Sequence, residues 1–223
     1  MMNPIFATLN QQLMTGNTLG QQGMFAEMQG NYLGAAQNYD QAIAWIFQSI
    51  TTAQQSGVFV PDYIHFSFAF AHSSAARVKG MLGWMPIAWN HLNQSLAALC
   101  QAIAINPNVV EYHVAAGTIL MTQGNLPEAE RAFHTALQMN PNEPSSQYML
   151  AVLNAARGNI ATANNYYAAV QQVSPNIPRM PITPPSATPG QGTDWVNTVN
   201  NACTLLNNVF KTMGNFQDMM QKF

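Results

Sequence analysis

The sequence contains very little charge. Only 7% of its 223 residues are Asp, Glu, Lys or Arg, whereas about 25% is typical of a soluble domain. Asn and Gln, 23 and 20 in number, supply most of the polar side chains instead. The seven basic residues are scattered and form no stripe that could neutralise phosphates, so no binding to nucleic acid is expected. A nearly neutral surface favours self-association, the alternative being an amide-rich surface without functional meaning.

Cysteines are scarce, and leader and membrane-spanning sequences are missing. Cys100 and Cys203 are too few for a disulfide framework, although a single disulfide between them stays open. Residues 1–20 hold neither a basic leader nor an apolar core, and no window holds about 18 uninterrupted apolar residues. The sequence therefore predicts a cytoplasmic protein without a transmembrane helix.

No group of residues has the spacing of a catalytic or metal-binding motif. The five histidines include no pair four residues apart with a Glu between them, and the cysteines have no metal-ligand spacing. His65 and His72 share a helix face, but a structural role explains such a pair more simply. No glycine-rich loop between a strand and a helix suggests a phosphate cradle. We therefore predict no enzyme activity, no catalytic residue, no metal site and no cofactor.

The informative feature is a pattern that repeats with a fixed period. Between residues 106 and 175, the first copy is marked by Gly124, Ala129, Phe133, Ala136 and Pro141. The second copy has the corresponding residues Gly158, Ala163, Tyr167, Val170 and Pro175. An earlier copy is marked by Gly23, Gly30, Ala35, Tyr39 and Ala42. A period of about 34 residues is typical of helix hairpins that bury their apolar faces by stacking.

The pattern resembles the tetratricopeptide repeat (TPR) family. The resemblance implies an all-α fold, an α-solenoid of about four helix hairpins forming one superhelix over residues 1–173. The hairpins are expected at about 16–55, 58–105, 106–139 and 140–173. A separate short helix is expected from Asn3 to Met14. The second hairpin fits least well: one repeat length back from the third, Leu99 falls at the aromatic position and Ala102 at the small one.

In this family the first helix of each hairpin lines a groove that binds other chains. Matched position by position, the resemblance implies a groove lined by Met24, Met28, Val114, Thr118, Met121, Tyr148 and Val152. No basic residue maps to this face in the first, third and fourth hairpins, so a clamp for a peptide's terminal carboxylate is not expected. Such a groove suits the apolar face of a helix. The alternative is that some of these residues pack against the neighbouring repeat.

Two further segments follow the repeats. Residues 174–193 contain six prolines and predict an extended linker. Residues 194–223 predict an amphipathic helix, because apolar residues recur in steps of three and four. The large members of this apolar seam are Trp195, Val199, Leu206, Val209, Met213, Phe216, Met220 and Phe223. Three destinations stay open for this helix: the repeats of its own chain, a second copy of the chain and, less favoured with only two lysines, a membrane surface.

Together these patterns predict a non-enzymatic protein–protein interaction scaffold. We expect it to self-assemble into oligomers or filaments through the apolar groove and the C-terminal helix. Its partners are then proteins, including itself. Two alternatives stay open: a monomeric chaperone or assembly factor that holds a client helix, and a peripheral membrane adaptor.

Overall fold

The computed structural model describes residues 4–175, which form eight α-helices and no strand. The helices are α1 (Pro4–Met28), α2 (Tyr32–Gln55), α3 (Asp62–Met81), α4 (Met85–Ile105), α5 (Val110–Thr122), α6 (Leu126–Met139), α7 (Pro144–Ala156) and α8 (Ile160–Val173). Four consecutive hairpins confirm the predicted all-α repeat fold. The predicted helix at 194–223, and all but two residues of the predicted linker, lie outside the described residues.

The helices belong to two compact units that divide after Pro107. In the first unit, α1 packs on α2 and α3 on α4, and α2 joins the two hairpins through α3. In the second unit, α5 packs on α6 and α7 on α8, and α6 joins the hairpins through α7. The expectation of one continuous superhelix over residues 1–173 stays a prediction.

The same turn closes each of the four hairpins. A glycine with φ between 75° and 81° follows the first helix of each pair, at Gly30, Gly83, Gly124 and Gly158. The amide after this glycine donates to the carbonyl five residues earlier, as Asn31 N–H does to Ala26 O at 2.9 Å. This is the Schellman helix cap. Because only glycine adopts such a φ without steric cost, these glycines determine where each first helix ends.

A small residue of the first helix faces an aromatic ring of the second. A Cβ added to Gly117 would lie 2.7 Å from the ring of Phe133, and one added to Gly23 would lie 2.9 Å from the ring of Tyr39. Both rings are 0% exposed. The aromatic positions of the repeat therefore form the centres of the hairpin cores, where a side chain on the facing helix would have no room.

The first hairpin differs from the sequence-based expectation. α1 is a single helix of 25 residues, so the expected short helix from Asn3 to Met14, followed by a new element near Gly16, is wrong. Gly16 does not interrupt the helix. It brings α1 close to α2, where an added Cβ would lie 2.6 Å from Ile46 Cγ1 and 3.1 Å from the carbonyl oxygen of Ala42.

The second hairpin is also longer than the repeat predicts. Along the sequence, the spacing between the turn glycines Gly83 and Gly124 is longer than that between Gly124 and Gly158 by the length of two helical turns. Counted from this turn, the aromatic position of the repeat falls at Leu92, which is half-buried, whereas counting back from the third hairpin places it at Leu99. Because α4 has 21 residues, Leu99 lies two turns further along the same face, where it is fully buried.

Candidate functional site

In the second unit, the predicted groove residues are largely enclosed. Met121 and Tyr148 are 0% exposed, and Val152 is 4% exposed. All three belong to the apolar core of this unit. Val114 and Thr118 are half-buried, and the Thr118 hydroxyl donates to the Val114 carbonyl at 2.9 Å. These positions therefore offer little accessible surface for a partner.

The enclosure is most complete along α7. Every residue from Ser145 to Ala155 is buried. The equivalent positions on α5, one repeat earlier, are more open, since Glu111 is exposed where Ser145 is buried. The repeat pattern identifies which side of a helix corresponds to a groove. It contains no information about whether that side is already covered.

In the first unit, the predicted groove residues differ in their exposure. Met24 is half-buried and packs on the core of the first two hairpins. Met28 is 63% exposed. Among the described residues, 17 large apolar side chains are exposed, and 15 of them lie between residues 6 and 105. The accessible apolar surface is therefore concentrated in the first unit.

Eight of these exposed side chains surround the two glycine turns of the first unit. Consecutive helices run in opposite directions, so the α1–α2 turn and the α3–α4 turn lie at the same edge. One apolar cluster accordingly joins the end of α1, the start of α2 and the end of α3. We call this surface the turn edge; its residues are Phe25, Met28, Tyr32, Leu33, Met81, Trp84, Met85 and Ile87. Exposed apolar side chains gathered at one edge are the kind of surface that interaction sites use.

The turn edge is electrically neutral. Residues 24–34 and 80–90 include a single charged residue, Glu27. Its carboxylate pairs with Arg77 of α3 and accepts a hydrogen bond from the Tyr39 hydroxyl at 3.3 Å. Both members of the ion pair are mostly buried. A partner at this edge would therefore meet apolar side chains and a charge that is already compensated.

An open groove lies along the outside of the first hairpin. Its volume is about 660 Å³, and Met14 and Trp45 are its largest apolar side chains. The remaining lining consists of Ala7, Leu19 and the uncharged polar side chains of Asn, Gln and Thr. Without a charged group, this groove has no means to hold a phosphate or a carboxylate by an ion pair.

A buried polar cluster lies next to the α3–α4 turn. It contains Asp40 of α2, His72 and Lys79 of α3, and His91 of α4. The sequence pairs His72 with His65 by spacing, whereas the structure pairs it with His91. No local spacing could have identified this cluster, because its members come from three helices. Among residues 4–175, no group of His, Cys, Asp and Glu has the arrangement of a metal site.

The sequence of the second unit matches a known repeat family. Residues 114–177 match the family model of the tetratricopeptide repeat. This match and the four glycine-turned hairpins support a tetratricopeptide-repeat protein. TPR proteins as a class mediate protein–protein interactions. None of the helices described for this TPR protein combines the length and the hydropathy needed to cross a membrane.

Solved structures, including two of TPR proteins, are similar to this chain at low sequence identity. YrrB, a TPR protein with an unusual peptide-binding site, is 18% identical over 78% of this chain and 86% of its own, with a TM-score of 0.49. TTC0263 from Thermus thermophilus is 16% identical over 85% of this chain and 99% of its own, with a TM-score of 0.46. MamA is 16% identical over 67% of this chain and 92% of its own, with a TM-score of 0.39. These TM-scores are below 0.5, so the family assignment rests on the family model and the hairpins. No curated protein matches the sequence.

Proposed function

We propose that this TPR protein is a non-enzymatic cytoplasmic scaffold that binds protein partners through the turn edge. We further propose that one partner is a second copy of the chain. The proposal rests on a contrast between the two units: the first has an exposed apolar edge, whereas α7 of the second is enclosed. A binding surface must be accessible before the partner arrives, and the turn edge meets that condition.

The chemistry of the turn edge favours an amphipathic helix with few charges and no net charge as the occupant. Residues 194–223 of the sequence have this composition, because their only charged residues are Asp194, Lys211, Asp218 and Lys222, two of each sign. Burying one large apolar side chain contributes about 1.5–3 kcal/mol before entropic costs. The methionines on both sides suit such a contact, because their flexible side chains adapt to an irregular partner. We therefore propose residues 194–223 of a second copy as the ligand.

Two alternative functions use the same surfaces differently. A chaperone or assembly factor would hold a client helix at the turn edge and remain monomeric. A peripheral membrane adaptor is less favoured, since attraction to anionic lipids requires Lys and Arg, which residues 24–34 and 80–90 lack. The oligomeric state of the full chain separates the proposed function from both.

We expect the full chain to form oligomers that dissociate when the apolar seam of residues 194–223 receives charges. The test variant is Leu206→Asp with Phe216→Asp, because burying two carboxylates in an apolar contact is unfavourable. The matched control is Asn200→Asp with Asn207→Asp, which adds the same charge on the polar side. Light scattering coupled to size exclusion measures the mass. A wild-type monomer at all concentrations would contradict self-assembly, and dissociation of the control variant would contradict a role for the seam.

We expect a second pair of charges to locate the receiving surface. Met28→Glu with Met81→Glu places two carboxylates on the turn edge, where both methionines are more than half exposed, so folding is preserved. Oligomers should be lost as fully as with the seam variant. The control is Ile160→Glu with Val173→Glu, at the exposed apolar residues of the second unit. If the turn-edge variant keeps its wild-type mass, the receiving surface lies elsewhere.

A further inference from the structure

We infer that the cluster of Asp40, Lys79, His91 and His72 is an acid-sensitive latch that holds α4 and the α3–α4 turn in place. The inference concerns the conformation of the first unit and does not depend on the proposed self-assembly. It follows from the direction of the hydrogen bonds in the cluster.

The four side chains form a chain across three helices. Lys79 Nζ lies 2.6 Å from Asp40 Oδ1 and 2.8 Å from His91 Nε2. His91 Nδ1 lies 2.9 Å from His72 Nδ1. Lys79 and His72 are 5% and 6% exposed, whereas the Asp40 carboxylate is half exposed. The chain therefore leads from the surface into the core.

Only one arrangement of protons satisfies this chain. A lysine ammonium donates and cannot accept, so His91 Nε2 must be the acceptor and the proton of His91 must be on Nδ1. That Nδ1–H donates to His72 Nδ1, which places the proton of His72 on Nε2. This last nitrogen is buried without a hydrogen-bond partner. Both histidines must therefore be neutral for the chain to form.

A proton added to either histidine breaks a hydrogen bond and creates a repulsion. On His91, a second proton places an Nε2–H against the ammonium of Lys79. On His72, it places an Nδ1–H against the Nδ1–H of His91. In each case two donors face each other in a largely buried site, and on His91 two positive charges do so as well, which is unfavourable. The half-exposed Asp40 carboxylate compensates only in part, since it lies 3.9 Å from His91 Nε2 and already pairs with Lys79.

The electrostatics of the four surrounding helices support the latch. Burial lowers the pKa of His72 to about 4, and repulsion by His91 and Lys79 acts in the same direction while Asp40 opposes it. Burial lowers the pKa of His91, and repulsion by Lys79 lowers it further, while attraction by Asp40 opposes both effects. The other charged or histidine side chains of α1–α4 are Glu27 and Arg77, which pair with each other, and Asp62 and His65 at the far end of α3.

The latch is connected to the turn edge through the backbone of Lys79. The carbonyl of Lys79 accepts the N–H of Trp84 at 2.8 Å, which is the bond that closes the α3–α4 turn. His91 lies on α4, which begins at this turn. When the side chains of Lys79 and His91 separate, the turn that presents Met81, Trp84 and Met85 loses its support.

The test is a pH titration of the full chain by NMR, with the imidazole C–H signals and the indole N–H signals of Trp84 and Trp89 as readouts. We expect both imidazoles to titrate below pH 6.5. We expect the two indole signals to leave their native positions with a midpoint between pH 6.5 and about 4. Imidazoles that titrate near pH 6.5, or indole signals unchanged down to pH 4, would overturn the inference. This measurement on the wild type requires no variant to fold.

A matched pair of variants adds a second readout. His72→Gln with His91→Gln replaces both rings by amides that accept and donate like neutral imidazole but do not take up a proton. The midpoint of the indole transition should fall by about one pH unit or more. His113→Gln with His134→Gln changes two histidines of the second unit and should leave the midpoint unchanged. An unaltered acid transition in the first variant, or a shifted one in the second, would exclude the latch.

Discussion

Replacing Gly117 by Leu is expected to lower the free energy of unfolding by about 3 kcal/mol, because the side chain would enter a filled core. The Cβ alone would lie 2.7 Å from Phe133 Cε1 and 2.9 Å from Phe133 Cδ1. The Phe133 ring is 0% exposed and packed in the core of the second unit, so it cannot move aside without displacing its neighbours. Urea denaturation followed by circular dichroism measures the effect.

A double-mutant cycle tests whether this contact is the cause. Phe133→Ala alone should cost about 3–5 kcal/mol, because it leaves a cavity. In the double variant, which combines Phe133→Ala with Gly117→Leu, the new leucine side chain occupies part of that cavity. The double variant should therefore be more stable than the sum of the single effects by about 2 kcal/mol. Additive effects would mean that Gly117 and Phe133 do not share the same space.

The repeat predicted the parts of this fold that depend on local backbone geometry. The hairpin itself requires three residues: a glycine at the end of the first helix, a buried aromatic residue on the second helix, and a small residue on the first helix that faces this aromatic ring. Gly124 and Phe133 are therefore visible as a pattern in sequence. The same residues determined the predicted fold class, and the positive φ of the turn glycines confirms the physical reason.

The lengths of the first two hairpins could not be predicted in this way. Glycine ends a helix at Gly30, with φ of 75°, but lies inside a helix at Gly16. Sequence alone does not separate the two uses, because the second depends on the distance to α2. In the second hairpin, Leu92 and Leu99 lie two turns apart on the same helix face, so both fit the pattern of a core residue. The position of Gly83 shows that this hairpin is two turns longer than the repeat.

The candidate site was predicted less well than the fold, because binding depends on exposure. Val152 and Met28 both occupy groove positions of the repeat, yet the first is 4% and the second 63% exposed. The turn edge combines residues near two turns that are about 50 residues apart in sequence. The latch requires three helices to come together. Its sequence signal is weak: Lys79 is one of two basic residues, with Arg77, among the small and apolar residues at the end of a core helix.

The α3–α4 turn has two roles: it exposes apolar side chains at the turn edge, and its backbone is held by the latch. An interaction surface needs exposed apolar side chains, which are unfavourable in water. A rigid support beneath them prevents the turn from collapsing onto the core and hiding these side chains. Trp84 illustrates the arrangement, since its ring is exposed while its backbone N–H is held by Lys79. A neutral apolar edge can therefore remain open in the absence of a partner.

Gly16 offers the sharpest test of α1, which the sequence pattern divides into two elements and the structure shows as one helix. Replacing Gly16 by Leu is expected to lower the free energy of unfolding by about 3 kcal/mol. The new Cβ would lie 2.6 Å from Ile46 Cγ1, which is buried, and 3.1 Å from the carbonyl oxygen of Ala42, which belongs to the backbone of α2 and cannot turn away. The two helices would have to separate along their length.

The matched control is the same substitution at Gly20, one turn later on α1. No atom lies within 4 Å of a Cβ at this position. Leu favours a helix over Gly by roughly 0.8 kcal/mol, so Gly20→Leu should leave the protein unchanged or slightly more stable. Urea denaturation of both variants gives the two changes in free energy. If Gly16 were a break between two elements, Leu would be tolerated there as well as at Gly20. Opposite outcomes four residues apart are expected only when α1 continues through Gly16 and packs on α2 at that point.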